Sequence, residues 1–240
     1  MSDFVYTVSN ASKVGINGST LSALSAGTVS ITATHKVTGL SRTFAATIYA
    51  GTFDVYIVAS GISLDNMASG SAAGHGWIEI VSHSAHDFTI GYYNLPSGQT
   101  VTVGRWGSQI DKTIDGSYVG LWYDREIYEI NVNEKYVNTT YSYVSVNKTT
   151  INSLSEYIKT SNEGYDLLRN NCVTFAISAW NICVDSSNTI NTSIFIPSGL
   201  VNAIENLETH YSGNLYRAPG TIRCGYYNGS KYVAYNIQNN

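Results

Sequence analysis

The hydrophobic period of this chain changes near Thr150, and that change limits what it can fold into. Before it, short apolar runs alternate with polar residues, as in TVSITATH, DVYIVAS and GHGWIEIV, and clusters of Gly, Asn and Ser separate them. A period of two is the mark of strands. From Thr150 the spacing is helical. Ile151, Leu154 and Ile158 line up in TINSLSEYIK behind a Thr cap, and Cys172, Phe175, Ala176, Ala179 and Cys183 do so in NCVTFAISAWNIC. A third helix is expected over Ser198–Leu207, where Pro197 and Ser198 are start signals. The chain closes with a hairpin, TIRCGYY and KYVAYNI, joined through Asn228–Gly229. Strands followed by helices and then strands predict an α+β layout after Gly51.

Gly51 marks the expected boundary between residues 1–50, which read as strands throughout, and residues 51–240. In the second region strands are expected over Asp54–Ser60, Gly74–Val81, Asp87–Asn94, Val101–Trp106, Tyr118–Tyr123 and Arg125–Val132. The Gly/Ser/Ala-rich stretch Ser60–Gly74 reads as a loop long enough to be functional. If Gly74–Val81 and Asp87–Asn94 form a hairpin, Val81 lies near Phe88 and His75 near Asn94.

Composition is 43% hydrophobic and 12% charged, enough apolar material for a sizeable core. The net charge is −4 and the basic residues are scattered, which disfavours nucleic acid and anionic membranes as partners. No apolar run is long enough to span a membrane. The start, MSDFVYTVSN, has neither the basic region nor the apolar core of a signal peptide. Three cysteines, Cys172, Cys183 and Cys224, cannot all pair within one chain. No metal-ligand spacing such as C-x-x-C or H-x-x-x-H occurs, so neither a metal nor a cofactor is expected.

The chemistry is sought at Cys172. Asn170 and Asn171 are good caps, which puts Cys172 in the first turn of its helix. Unpaired amides and the positive end of the helix dipole stabilise a thiolate there. The competing reading is a small buried core residue. A thiol nucleophile also needs a base, usually His, and a polar group to orient it. Of His35, His75, His83, His86 and His210, His75 stands out, flanked by Gly74 and Gly76 at the mouth of a strand. A strand-end His with a satisfied hydrogen bond is the simpler alternative. Trp77, Tyr92, Tyr93, Trp106 and Trp122 line a groove or, more simply, pack a core. Arg105 and the cluster Asp124–Arg125–Glu126 are binding groups or, more simply, solvated or paired surface charge.

Two resemblances follow from these residues. The run VGINGSTLSALSAGTVSITATHKVTGLSRTFAATIYA, with Ala26–Gly27 ahead of the strand Thr28–Thr34, resembles the C-terminal portion of bacterial Ig-like group 2 repeats. That implies a partial all-β Ig-like segment over 1–50, a spacer or adhesive role, and a secreted or cell-surface setting. A truncated sandwich implies an open strand edge that must be paired or covered. GHGWIEI followed later by NCVTFAISAWN resembles the circularly permuted papain-like (NlpC/P60-related) superfamily, in which the His strand precedes the Cys helix. That implies, over 51–240, a papain-like antiparallel sheet with packed helices, with Cys172 as nucleophile and His75 as base. The third polar residue in such folds comes from the strand paired with the His strand. By the hairpin register above this is Asn94, or Tyr92 or Glu79 if the register slips. The implied activity is hydrolysis of an amide bond, with a peptide such as cell-wall peptide as substrate. The alternative is a non-catalytic surface adhesion or interaction module.

Overall fold

The structure, a computed structural model, describes residues 3–25, 27–48, 52–61, 74–107, 119–131, 136, 138–161, 164–166, 168–213, 215, 224–227 and 231–235. Ala26, Tyr118, Val132, the Asn228–Gly229 turn and most of the expected 60–74 loop lie outside the described residues. The chain divides into two compact units, Met1–Thr52 and Phe53–Asn240.

The first unit is all β. Strands β1 (Phe4–Val8), β4 (Gly27–His35) and β5 (Ser41–Ile48) form an antiparallel sheet in the order β1-β4-β5, and β2 (Val14–Asn17) pairs with β3 (Thr20–Ala23) in a separate hairpin. Its buried core is small: Val14, Val29 and Ile31, with Tyr6, Val8, Leu21, Ala46 and Ile48 packed around them. Among the described residues, β1 and β5 carry no further strand, and Phe4, Leu40 and Phe44 are exposed.

The second unit is α+β. Its strands are β6 (Phe53–Ser60), β7 (His75–Ser82), β8 (Phe88–Ile90), β9 (Tyr93–Leu95), β10 (Thr100–Trp106), β11 (Gly120–Tyr123), β12 (Thr139–Val146), β13 (Tyr211–Gly213), β14 (Gly225–Tyr227) and β15 (Tyr232–Ala234). Its helices are α1 (Arg125–Asn131), α2 (Lys148–Thr160), α3 (Cys172–Cys183) and α4 (Pro197–Glu205). Eight strands form one antiparallel sheet in the order β13-β12-β6-β7-β10-β11-β14-β15. The central strands β6, β7 and β10 are buried along nearly their whole length. Helix α3 packs across β7, β6 and β10, α2 packs against α3, and α4 against β6 and β12. Val173, Phe175, Ala176, Ile177, Ala179 and Trp180 are all buried, so α3 is apolar on nearly every side, as a helix sunk between sheet and helices must be.

Two local expectations are corrected here. Helix α2 begins at Lys148, not Thr150, because Asn147 caps it, accepting the Thr150 N–H at 3.0 Å. The segment from Arg125 is helix α1, not a strand. Its alternating Ile and Tyr residues mimic a strand, but Asp124 precedes it as a cap-type residue and Glu126 sits in its first turn, where the helix dipole favours a carboxylate. Among the described residues, no helix is long and apolar enough to cross a membrane.

Candidate active site

His75 opens β7, the strand at the centre of the sheet. The register places it opposite Ser60 of β6, and Trp77 lies opposite Gly104 of β10. The hairpin expected between β7 and the following segment does not form. Residues 88–95 make a small ladder of their own, with Asn94 opposite Thr89, while β7 is claimed on both edges by longer strands. Asn94 is exposed and its Nδ2 donates to Asp87 Oδ2 at 3.2 Å. The structure therefore does not bring Asn94 to His75. Tyr92 stacks on Tyr227 at 4.2 Å instead. Glu79 lies four residues along β7, about 13 Å away at strand rise.

The structure does bring Cys172 and His75 together. They come from segments almost a hundred residues apart, and their side chains are hydrogen-bonded. Asn171 supplies a full capping box: its Oδ1 accepts the Val173 and Thr174 N–H groups at 2.8 and 3.0 Å, and Thr174 Oγ1 accepts the Asn171 N–H at 3.0 Å. Asn171 Nδ2 donates to Phe195 O at 2.9 Å, which ties the helix start to the chain ahead of α4. The sulfur also accepts from the Gly76 and Val173 backbone N–H groups.

The third member is Glu126, at the first turn of α1. Its Oε1 lies 2.9 Å from His75 Nε2 and accepts the Trp106 indole N–H at 2.8 Å. Its Oε2 accepts the Thr102 hydroxyl at 2.8 Å. With Nε2 facing the carboxylate, Nδ1 is the ring nitrogen left for sulfur. Oε1 occupies the space where a Cβ would stand at position 104, so only glycine there allows this approach. Asp124 fixes the helix that carries Glu126. Its carboxylate accepts the Thr102 N–H at 3.1 Å and the Tyr93 hydroxyl at 3.2 Å, and it adopts a left-handed φ of 56°. The neighbouring Arg125 guanidinium lies over the Trp106 and Trp122 rings at 3.8 and 4.7 Å. The cluster, expected as binding groups or as solvated or paired surface charge, is thus buried. The imidazole itself is packed against Trp106 (4.2 Å between centroids), Tyr136 (5.6 Å) and Trp77 (5.7 Å).

These contacts set the protonation states. Burial disfavours an imidazolium, but the Cys172 sulfur and the Glu126 carboxylate outweigh it, and the His75 pKa rises from 6.5 to about 9. Burial pushes the Cys172 thiol up, but the charge and hydrogen bond of His75, with the two backbone amides, bring it below the usual thiol range. Burial likewise pushes Glu126 up, and His75 and Thr102 bring it below the usual carboxylate range. Burial alone drives the Cys183 thiol up to about 12, and at Cys224 burial, with the Glu126 charge, outweighs Arg125 and drives the thiol up to about 12. These shifts favour a thiolate–imidazolium pair backed by a buried carboxylate.

All three cysteines are free. Among the described residues, no group of three or more His, Cys, Asp and Glu is placed to hold a metal ion. The sequence places Glu126 in a cluster of binding groups or of solvated or paired surface charge, on a segment that reads as a strand, and so gives it no role behind His75; the cap-type Asp124 and the acidic first turn are the signal available. Comparison with protein-family models, with curated proteins and with solved structures finds no match to this chain.

Proposed function

We propose that residues 53–240 form a cysteine hydrolase that cleaves an amide bond through a covalent acyl-enzyme. The observation that carries this reading is the relay Cys172–His75–Glu126, in which one imidazole is bonded to a thiol on one side and a buried carboxylate on the other. The Cys172 thiolate attacks the carbonyl carbon. The pair of C=O electrons moves to oxygen, and on collapse the C–N bond breaks while His75 gives its proton to the leaving nitrogen. His75, now neutral, takes a proton from water, and the hydroxide equivalent hydrolyses the thioester. Glu126 holds the ring in orientation and favours its protonated form.

A strand-borne His ahead of a helix-borne Cys, beside an antiparallel sheet, is the order of the permuted papain-like (NlpC/P60-related) group. Kinship with it is part of the proposal, as are a peptide such as cell-wall peptide as substrate and a secreted or cell-surface setting. Treatment with p-nitrophenyl acetate tests the chemistry. Peptide mass mapping is expected to find the acetyl group on Cys172, with none there after His75→Ala. Acetylation spread evenly over the three cysteines would remove the proposal.

A second reading concerns the first unit, an adhesive or spacer module of Ig-like type. It is favoured by a cavity of about 530 Å³ lined by Phe4, Ala33, His35, Leu40 and Phe44 on its exposed apolar side. The two readings concern different units and are compatible.

A further inference from the structure

The proposed reaction builds negative charge on a carbonyl oxygen, and that oxygen needs donors. The start of α3 supplies fewer than a bare helix end would. The Val173 and Thr174 N–H groups are taken by Asn171 Oδ1, and the Phe175 N–H by the Asn171 carbonyl. Of the amides in this turn, only that of Cys172 is left. Gly76 N–H reaches the sulfur from the buried floor of the sheet. A second donor must come from a side chain near the sulfur.

Tyr165 is the side chain that reaches the sulfur from the segment ahead of the helix. It is half-buried, and its hydroxyl is hydrogen-bonded to the Cys172 sulfur. It is carried on a short turn closed on itself: Asp166 and Asn170 exchange backbone hydrogen bonds at 3.0 Å, Asp166 Oδ1 accepts the Leu168 and Arg169 N–H groups at 2.9 and 2.8 Å, and Asn170 Nδ2 donates to Gly164 O at 2.6 Å. The ring lies against Gly107, where a Cβ would stand only 3.0 to 3.3 Å from three of its carbons. The turn runs directly into the Asn171 cap, so the phenol and the nucleophile are carried on adjoining, hydrogen-bonded segments.

We propose that Tyr165 is a catalytic residue that passes its hydrogen bond from sulfur to the substrate oxygen as charge moves between them. This rests on the hydrolase reading above. In the resting site the O–H donates to the thiolate. When the C–S bond forms, the sulfur loses its negative charge and the carbonyl oxygen gains it. The same O–H then donates to that oxygen, with no proton transferred, and returns when the C–N bond breaks. Burial and the nearby sulfur raise the phenol above its ordinary range, so it remains a neutral donor throughout the working pH.

The test compares two reagents on Cys172 in the full chain. Iodoacetamide reacts at a saturated carbon and develops no oxyanion, whereas p-nitrophenyl acetate does. At a pH where the thiolate is fully formed, Tyr165→Phe is expected to slow acetylation about 100-fold and to change alkylation by less than about threefold. Equal losses with both reagents, or unchanged acetylation, overturn the proposal. If Tyr165→Phe fails to fold by circular dichroism, Gly107→Ala, which presses on the ring, is read in the same way: a loss confined to acetylation supports the role, and any other pattern overturns it. Wild-type acetylation of Cys172 no faster than that of free cysteine would sink the hydrolase reading first, and the role of Tyr165 with it.

Discussion

Cys172 and Cys183 sit at opposite ends of the same helix and are about equally buried, 6% and 8% exposed, yet their thiols are driven in opposite directions. At the C-terminal end the sulfur has a single weak contact, donating to the Ala179 carbonyl at 3.5 Å, and burial alone decides its state. At the N-terminal end the sulfur meets an imidazole and two amides, and these overcome the same burial penalty. The difference teaches that a buried cysteine is inert by default. Reactivity has to be built by the residues that reach it, here from β7 and, behind it, from α1.

The largest break in this comparison is His75→Ala. It removes the opposite charge and leaves Cys172 in a Cys183-like environment, so alkylation of Cys172 by iodoacetamide near pH 7 is expected to fall by about 100-fold or more, measured by quantitative peptide mapping. Glu126→Gln keeps the shape but removes the negative charge behind the ring. Alkylation is expected to fall by about tenfold, an effect of roughly one pH unit on the pair. The sign of the pH dependence follows from the raised pKa of His75. The ring is protonated below about 9 and loses its proton as pH rises through that value, so amide turnover declines there while alkylation persists. In Glu126→Gln this alkaline limb moves to lower pH, because a support of the imidazolium is gone.

Asn171→Ala sharpens the comparison from the helix side. Loss of the cap is expected to cost about 1 kcal/mol of stability, read by urea unfolding, and to lower alkylation by a small factor only, since His75 supplies the larger part. The smallest effect is expected at Asn94, which is exposed and whose amide meets Asp87 rather than His75. Asn94→Ala should leave Cys172 alkylation unchanged and alter stability by about 0.5 kcal/mol or less.

How much of this could be read from the sequence depended on how local each signal was. The α3 helix, its Asn171 cap and the placing of Cys172 in the first turn are encoded within a dozen residues. So is the strand that His75 opens. The partners of that strand are not local. β7 pairs with β6 and β10, while the nearest following segment folds into a side hairpin and carries Asn94 away with it. An alternating pattern specifies which face a residue lies on, but not which strand lies beside it. Glu126 was hidden for a different reason. In REIYEIN the apolar residues fit a strand about as well as one face of a short helix, and charge in such a run reads as solvated. Only the fold shows that Trp106, Thr102 and His75 converge on that carboxylate and make its burial tolerable.

One measurement bears most directly on the central claim: the pH profile of iodoacetamide alkylation followed separately at each of the three cysteines in the native chain. A Cys172 profile that stays high well below the ordinary thiol range, with Cys183 and Cys224 unreactive until far more alkaline pH, is the expected result. Three superimposable profiles, or a Cys172 that reacts only as the chain unfolds, would contradict it.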